Sequence, residues 1–195
     1  SFEPTVAIVP TAAANESPDK AARNGSRHFQ EMGAQTIESM ILSREDAYDK
    51  NKLSELDRAD LIYFTGGNPQ HLLETISGTP AESALREASG KGSILAGSSA
   101  GAMVMGSTMR YQGWTESLAF FKNLTILPHH ENSSPEATLT DCSQALRKGL
   151  TILGLDGATG VFISDHQAQV VGNGTVTKYF QEGFQIFDSG DQFPL

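Results

Sequence analysis

The stretch Gly92-Ser93-Ile94-Leu95-Ala96-Gly97-Ser98-Ser99-Ala100-Gly101-Ala102-Met103 decides how the rest of the chain is read. Its apolar run predicts a short buried strand from Ser93 to Ala96, then a tight turn, then the start of a helix. Gly97-Ser98-Ser99-Ala100-Gly101 fits Gly-x-Ser-x-Gly, the pattern of a nucleophile elbow. In such a turn a serine held between strand and helix, in strained backbone geometry, projects its hydroxyl into a cleft. The helix behind it offers backbone N–H groups and a positive dipole end, suited to an oxyanion. A glycine-rich strand-to-helix turn without chemistry carries the same letters, so the neighbouring segments must decide.

Working towards the N-terminus, the same alternation recurs. Val6 to Val9 is a compact apolar run ending at Pro10, as in a buried parallel strand. Ser17 and Pro18 suit the N-cap and first position of a helix running to about Met32, with Gly33 as its stop. Thr36 to Leu42 predicts a strand and Lys52 to Ala59 a helix. Leu61 to Thr65 predicts a third strand, broken at Gly66-Gly67-Asn68-Pro69, and helices follow at Pro69 to Ile76 and Pro80 to Ser89. Strands alternating with helices imply right-handed βαβ units.

Beyond Ser99 the pattern changes. Ser107 to Ser117 reads as a surface loop, Leu124 to Leu127 as a strand ending in Pro128-His129-His130, and Thr140 to Lys148 as a helix. From Thr151 onward short β-like runs (Val161 to Ser164, Gln169 to Val171, Val176 to Phe180, Gln185 to Phe187) are separated by turns such as Gly172-Asn173-Gly174. The expected fold is α/β, a three-layer α/β/α sandwich with a mainly parallel sheet and an antiparallel hairpin towards the C-terminus. No repeat or linker divides residues 1–195, which read as a single domain.

Composition narrows the function. With 14 basic and 23 acidic residues the net charge is −9, which argues against nucleic acid or an anionic membrane as partner. One cysteine, Cys142, excludes an intrachain disulfide and suits the cytoplasm, where it reads as a spare buried thiol. No apolar run approaches the roughly 20 residues of a membrane span, and no secretory signal opens the chain. His129-His130-Glu131 lacks the spacing of a zinc helix and Gly66-Gly67-Asn68 that of a phosphate loop, so neither metal nor cofactor is expected.

Ligands of open α/β sheets bind at the carboxyl ends of the strands. Three features fall there: Gly66-Gly67-Asn68 after the third strand, the serine turn after the fourth, and His129-His130 after the fifth. A serine hydroxyl needs a base within reach, and histidine is the usual one because its pKa lies near neutrality. A glycine pair lets backbone N–H groups approach a developing oxyanion.

Phe64-Thr65-Gly66-Gly67-Asn68, Gly97-Ser98-Ser99-Ala100-Gly101-Ala102 and Pro128-His129 together resemble the peptidase E and cyanophycinase family of serine peptidases. That family has a fold similar to class I glutamine amidotransferase domains, with serine in place of cysteine at the elbow. The likeness continues in Asn132, Pro135 and Glu136 and in Leu150 to Leu155. It implies Ser99 as nucleophile, His129 as general base, and the backbone N–H groups of Gly67 and Ala100 as oxyanion hole. His130 stands where relatives carry phenylalanine, which makes it a packing residue or cleft wall. Asn68 and Arg110 are the substrate-binding candidates.

Two departures stand out. Relatives orient the histidine with a glutamate after the next strand, where this chain has Gly157. Asp156, one residue earlier, is the first substitute and Glu116 the second, with a water or a backbone carbonyl also open. Specificity departs as well. Relatives draw on arginine after the catalytic histidine, whereas Glu131 to Leu146 contains neither arginine nor lysine. Relatives also begin with an additional strand and helix, so either this domain is short or its first βα unit is missing.

The expected function is a serine peptidase that hydrolyses dipeptides or short peptides through an acyl-enzyme at Ser99, in the manner of an aspartyl dipeptidase. The alternatives are cyanophycinase-like cleavage of isopeptide bonds and a non-catalytic peptide or small-molecule sensor. The expected partner is a small peptide; the sequence leaves oligomeric state open.

Overall fold

The computed structural model describes residues 3–195. Two compact units make up the chain, Ser1–Met105 and Gly106–Leu195.

The first unit is built on a four-stranded parallel sheet in the order β2-β1-β3-β4, from β1 (Thr5–Val9), β2 (Gln35–Glu38), β3 (Leu61–Phe64) and β4 (Ile94–Gly97). Its helices are α1 (Pro18–Glu31), α2 (Lys50–Asp57), α3 (Pro69–Ile76), α4 (Pro80–Gly90) and the short α5 (Ala100–Met105). Helix starts follow the proline signals: α1, α3 and α4 each place a proline in the first turn. Helix α1 is followed by its C-cap Met32 and then Gly33, whose φ of +89° costs glycine little. It lies so close to β1 that a Cβ on Gly25 would come within 2.9 Å of Ile8. The core is aliphatic, with Ile8, Ile62, Phe64, Leu72, Ile76 and Leu85 fully buried. Strand β2 is shorter than the Thr36 to Leu42 expected. The last ladder bond from β1 runs from the Ser39 N–H to the Ile8 carbonyl, and the chain then turns away.

The second unit holds three sheets. A mixed one, ordered β12-β11-β8-β7, joins β7 (Leu124–Pro128) parallel to β8 (Thr151–Leu155), then β11 (Val176–Phe180) and β12 (Gly183–Phe187) antiparallel. An antiparallel one, ordered β13-β10-β9, contains β9 (Thr159–Ser164), β10 (Gln167–Gly172) and β13 (Gln192–Pro194). The segment expected as a loop forms a third, the hairpin of β5 (Thr108–Arg110) and β6 (Trp114–Glu116). Helix α6 (Pro135–Leu146) begins five residues before the Thr140 expected, capped by the Ser134 hydroxyl, which accepts the Ala137 N–H. Cys142, Ala145 and Leu146 of α6 pack with Ile152 and Tyr179 in one buried cluster.

The α/β class, the parallel sheet flanked by helices and the C-terminal antiparallel hairpins agree with expectation. The hairpin turns lie elsewhere than Gly172-Asn173-Gly174. One is Asp165-His166, both at positive φ, and the other joins β11 to β12. Gly172 to Gly174 instead carries the chain from the β10 sheet to the β11 sheet. Among the described residues no helix is long and apolar enough to cross a membrane, and no group of His, Cys, Asp and Glu could hold a metal ion.

Candidate active site

Ser99 occupies the single turn between β4 and α5 with a φ of 49°, left-handed backbone that a serine adopts only under constraint. The constraint is steric. A Cβ on Gly97 would lie 2.5 Å from the Gly101 carbonyl carbon, and one on Gly101 would lie 2.5 Å from the Phe64 carbonyl oxygen. The turn is fastened by the Gly101 N–H donating to the Ser98 carbonyl at 2.9 Å. The preceding side chain, Ser98, accepts the Tyr63 hydroxyl at 2.8 Å. Ser99 is half-buried, at the carboxyl end of the edge strand of its sheet.

The glycine pair sits beside this turn. A Cβ on Gly66 would be 3.5 Å from the Ser99 Cβ. Gly67 has a φ of +139°, and a side chain there would run into the Ala12 carbonyl. The Asn68 N–H donates to that same carbonyl at 2.7 Å, which pins the loop to the turn after β1. Asn68 itself caps α3: its side-chain oxygen accepts the N–H groups of Gln70 and His71 at 2.9 and 3.1 Å. Ala100 opens α5, where an N–H has no carbonyl one turn back to bond. That helix has only six residues, so the local N–H groups rather than a long dipole are the available electrostatic resource.

In the second unit, His129 follows the last residue of β7, is exposed, and has a φ of 58°. Left-handed backbone takes its ring out of the alternation of the strand. His130 points inward at 6% exposure, and its Nε2 shares a 2.5 Å hydrogen bond with the Tyr179 hydroxyl. Its ring covers Gly154, where a Cβ would overlap it. Burial pushes the His130 pKa below the ordinary histidine value, against the opposing pull of Asp156 and Glu131. His130 is thus a packing residue.

The expected orienting carboxylates are placed as follows. Asp156 lies just past β8, and its Oδ2 accepts the Thr175 N–H and hydroxyl at 2.9 and 2.8 Å. Glu116 ends β6 opposite Thr108, whose hydroxyl meets that of Thr125 early in β7. His129 is four residues further, about 13 Å along an extended strand. Glu131 was not anticipated: its Oε2 accepts the Gly157 N–H at 2.9 Å. Arg110 is held by α6, with Nη2 at 3.5 Å from Asp141 and Nη1 donating to Cys142 Sγ at 3.6 Å. Cys142 is buried, which raises its thiol pKa above the ordinary value.

With this geometry in place, comparison decides the family. The model of peptidase family S51 matches residues 2–171. The chain belongs to that family. S51 relatives include the cyanophycinase of Synechococcus elongatus, 28% identical over 90% of this chain and 58% of that protein. The chain therefore spans less than two thirds of that relative's length. An uncharacterized peptidase of Listeria monocytogenes is 27% identical over 66% of this chain and 67% of its own. Among solved structures, a peptidase from an acI-B1 actinobacterium superposes with a TM-score of 0.84 at 26% identity, covering 98% of this chain and 83% of that one. A peptidase E candidate from Listeria monocytogenes shares the fold, with a TM-score of 0.67 at 21% identity over 88% of each chain.

Proposed function

We propose that this S51 member is a serine peptidase acting on short peptides, with Ser99 as nucleophile and His129 as general base. The supporting observation is the Ser99 turn. A left-handed serine walled in by two glycines that tolerate no Cβ is expensive to maintain as a mere connection.

In the proposed reaction, the Ser99 Oγ–C bond forms as the hydroxyl proton passes to the His129 imidazole. The peptide carbonyl oxygen, now negative, receives the N–H groups of Gly67 and Ala100. The C–N bond then breaks, and the leaving amine takes the proton from His129. Water adds to the acyl ester, giving one proton to His129, which returns it to Ser99 as the acid leaves. The imidazolium needs an acceptor for its second N–H, and two carboxylates, Asp156 and Glu131, stand at the ends of β7 and β8.

The substrate class follows from charge. Burying a substrate carboxylate requires a cation to answer it. Arg110 is already answered by Asp141, and Asn68 spends its oxygen on a helix cap. Peptides with neutral side chains are therefore proposed over aspartyl ones, and Asn68 contributes to substrate binding by holding the Gly67 loop. Isopeptide cleavage is the second reading, favoured by the cyanophycinase relatives. A panel of neutral, aspartyl and isopeptide-linked dipeptides, run with a Ser99→Ala control, tests both. Turnover led by neutral dipeptides and abolished in Ser99→Ala is expected. Preference for the isopeptide selects the second reading, and turnover surviving Ser99→Ala overturns both.

A further inference from the structure

In the second unit the parallel strands β7 and β8 deliver two loops to the same end. Pro128 pairs with Leu155, and the His130 N–H extends the ladder to the Leu155 carbonyl at 3.0 Å. His129 is therefore level with the start of the 156–158 loop. Two carboxylates occupy this end, and both act on the His130 ring. They are not equivalent. Asp156 is committed to a turn, its Oδ2 taking both donors of Thr175. Glu131 reaches from the His129 loop back to the neighbouring one, where its Oε2 accepts the Gly157 N–H. Its Oε1 lies 3.4 Å from the point a Cβ on Gly157 would occupy.

Residue 157 is where the family resemblance puts the histidine-orienting glutamate, and here it is a glycine. The space opened by that missing side chain holds the Glu131 carboxylate instead. We propose that Glu131 is the positioning residue for His129, with the acid moved from the β8 loop to the β7 loop. This rests on the Ser99–His129 reading. The Gly157 N–H anchors one oxygen and leaves the second to accept from the imidazole, since a carboxylate offers about four lone-pair sites. In the proposed pairing that second oxygen accepts the imidazolium N–H as it forms.

The other titratable groups at this end have separate partners. His130 bonds Tyr179, Asp156 bonds Thr175, and Glu136 of α6 accepts the Ser134 hydroxyl. Because Glu131 is exposed, its influence is screened. The expected loss in Glu131→Gln is about 10- to 100-fold in Ser99 reactivity, below the roughly 10⁴-fold cost of a buried triad acid.

The test is the tautomer of the His129 ring, read at fixed pH from its two ring-nitrogen NMR shifts in the full chain, beside the labelling rate of Ser99 by a fluorophosphonate. A carboxylate that accepts from one ring nitrogen keeps the proton on that nitrogen, so Glu131→Gln changes the tautomer ratio. Glu131→Ala combined with Gly157→Glu restores it. The proposal is overturned if the ratio in Glu131→Gln matches the wild type, or if Asp156→Asn changes it and Glu131→Gln does not. The two readouts separate the two claims. A changed ratio without Ser99 labelling in the wild type removes the peptidase reading and leaves the Glu131–His129 pairing. Labelling with an unchanged ratio does the reverse.

Discussion

Gly101 rests directly on the backbone of Phe64: a methyl group on Gly101 would stand 2.5 Å from the Phe64 carbonyl oxygen and 2.7 Å from its Cβ. The small residue at position 101 is thus set by the packing of α5 on β3. Gly101→Ala should cost about 1–3 kcal/mol through forced backbone movement. Urea denaturation reads this as a lower midpoint; an unchanged midpoint means the elbow is looser than described.

His130 predicts a pH dependence of stability. Its folded pKa is depressed, chiefly by burial, so the unfolded chain binds the proton more readily. The stabilising contribution is complete above the unfolded histidine value of about 6.5 and declines as pH falls from there towards the lower folded value. His130→Phe removes that proton-linked slope. The measurement is chemical denaturation at pH 7.5 and 5; an equal loss on acidification in both proteins would contradict it.

The Asp156–Thr175 turn predicts a separable structural effect. Thr175→Val removes one of the two donors to Oδ2 and should destabilise by about 1–3 kcal/mol. Asp156→Asn in that background should cost less than in the wild type, because the two changes remove a shared interaction. Strict additivity in the double-mutant cycle would show that the contact contributes nothing.

Local signals explain which parts of the fold were legible. Pro69 with the capping Asn68 before it, and Pro80, marked α3 and α4 to within a residue, because caps and prolines act on their own neighbours. The same signal at Ser134-Pro135 went unused, since the polar run around it hid the start of α6. The β5–β6 and β9–β10 hairpins turn at Gln112-Gly113 and Asp165-His166, all four at positive φ. Asn-Gly would have announced such turns; these pairs do not. The division of β10 and β11 between different sheets is set by pairing across the unit and leaves no mark on the turn between them.

The candidate site divides along the same line. The Ser99 turn is a five-residue motif, and its strained φ follows from the letters themselves. Glu131 carries no such mark. Its relation to Gly157 spans 26 residues and exists only because β7 and β8 run parallel in one register.

The central claim is that Ser99 is a nucleophile driven by His129. The most direct measurement is the rate of covalent labelling by a fluorophosphonate, with the adduct mapped by mass spectrometry, in folded wild type and folded His129→Ala. The account predicts an adduct confined to Ser99 and a rate at least about 100-fold lower in the variant. No adduct in the folded wild type, or the same rate without the imidazole, would contradict it.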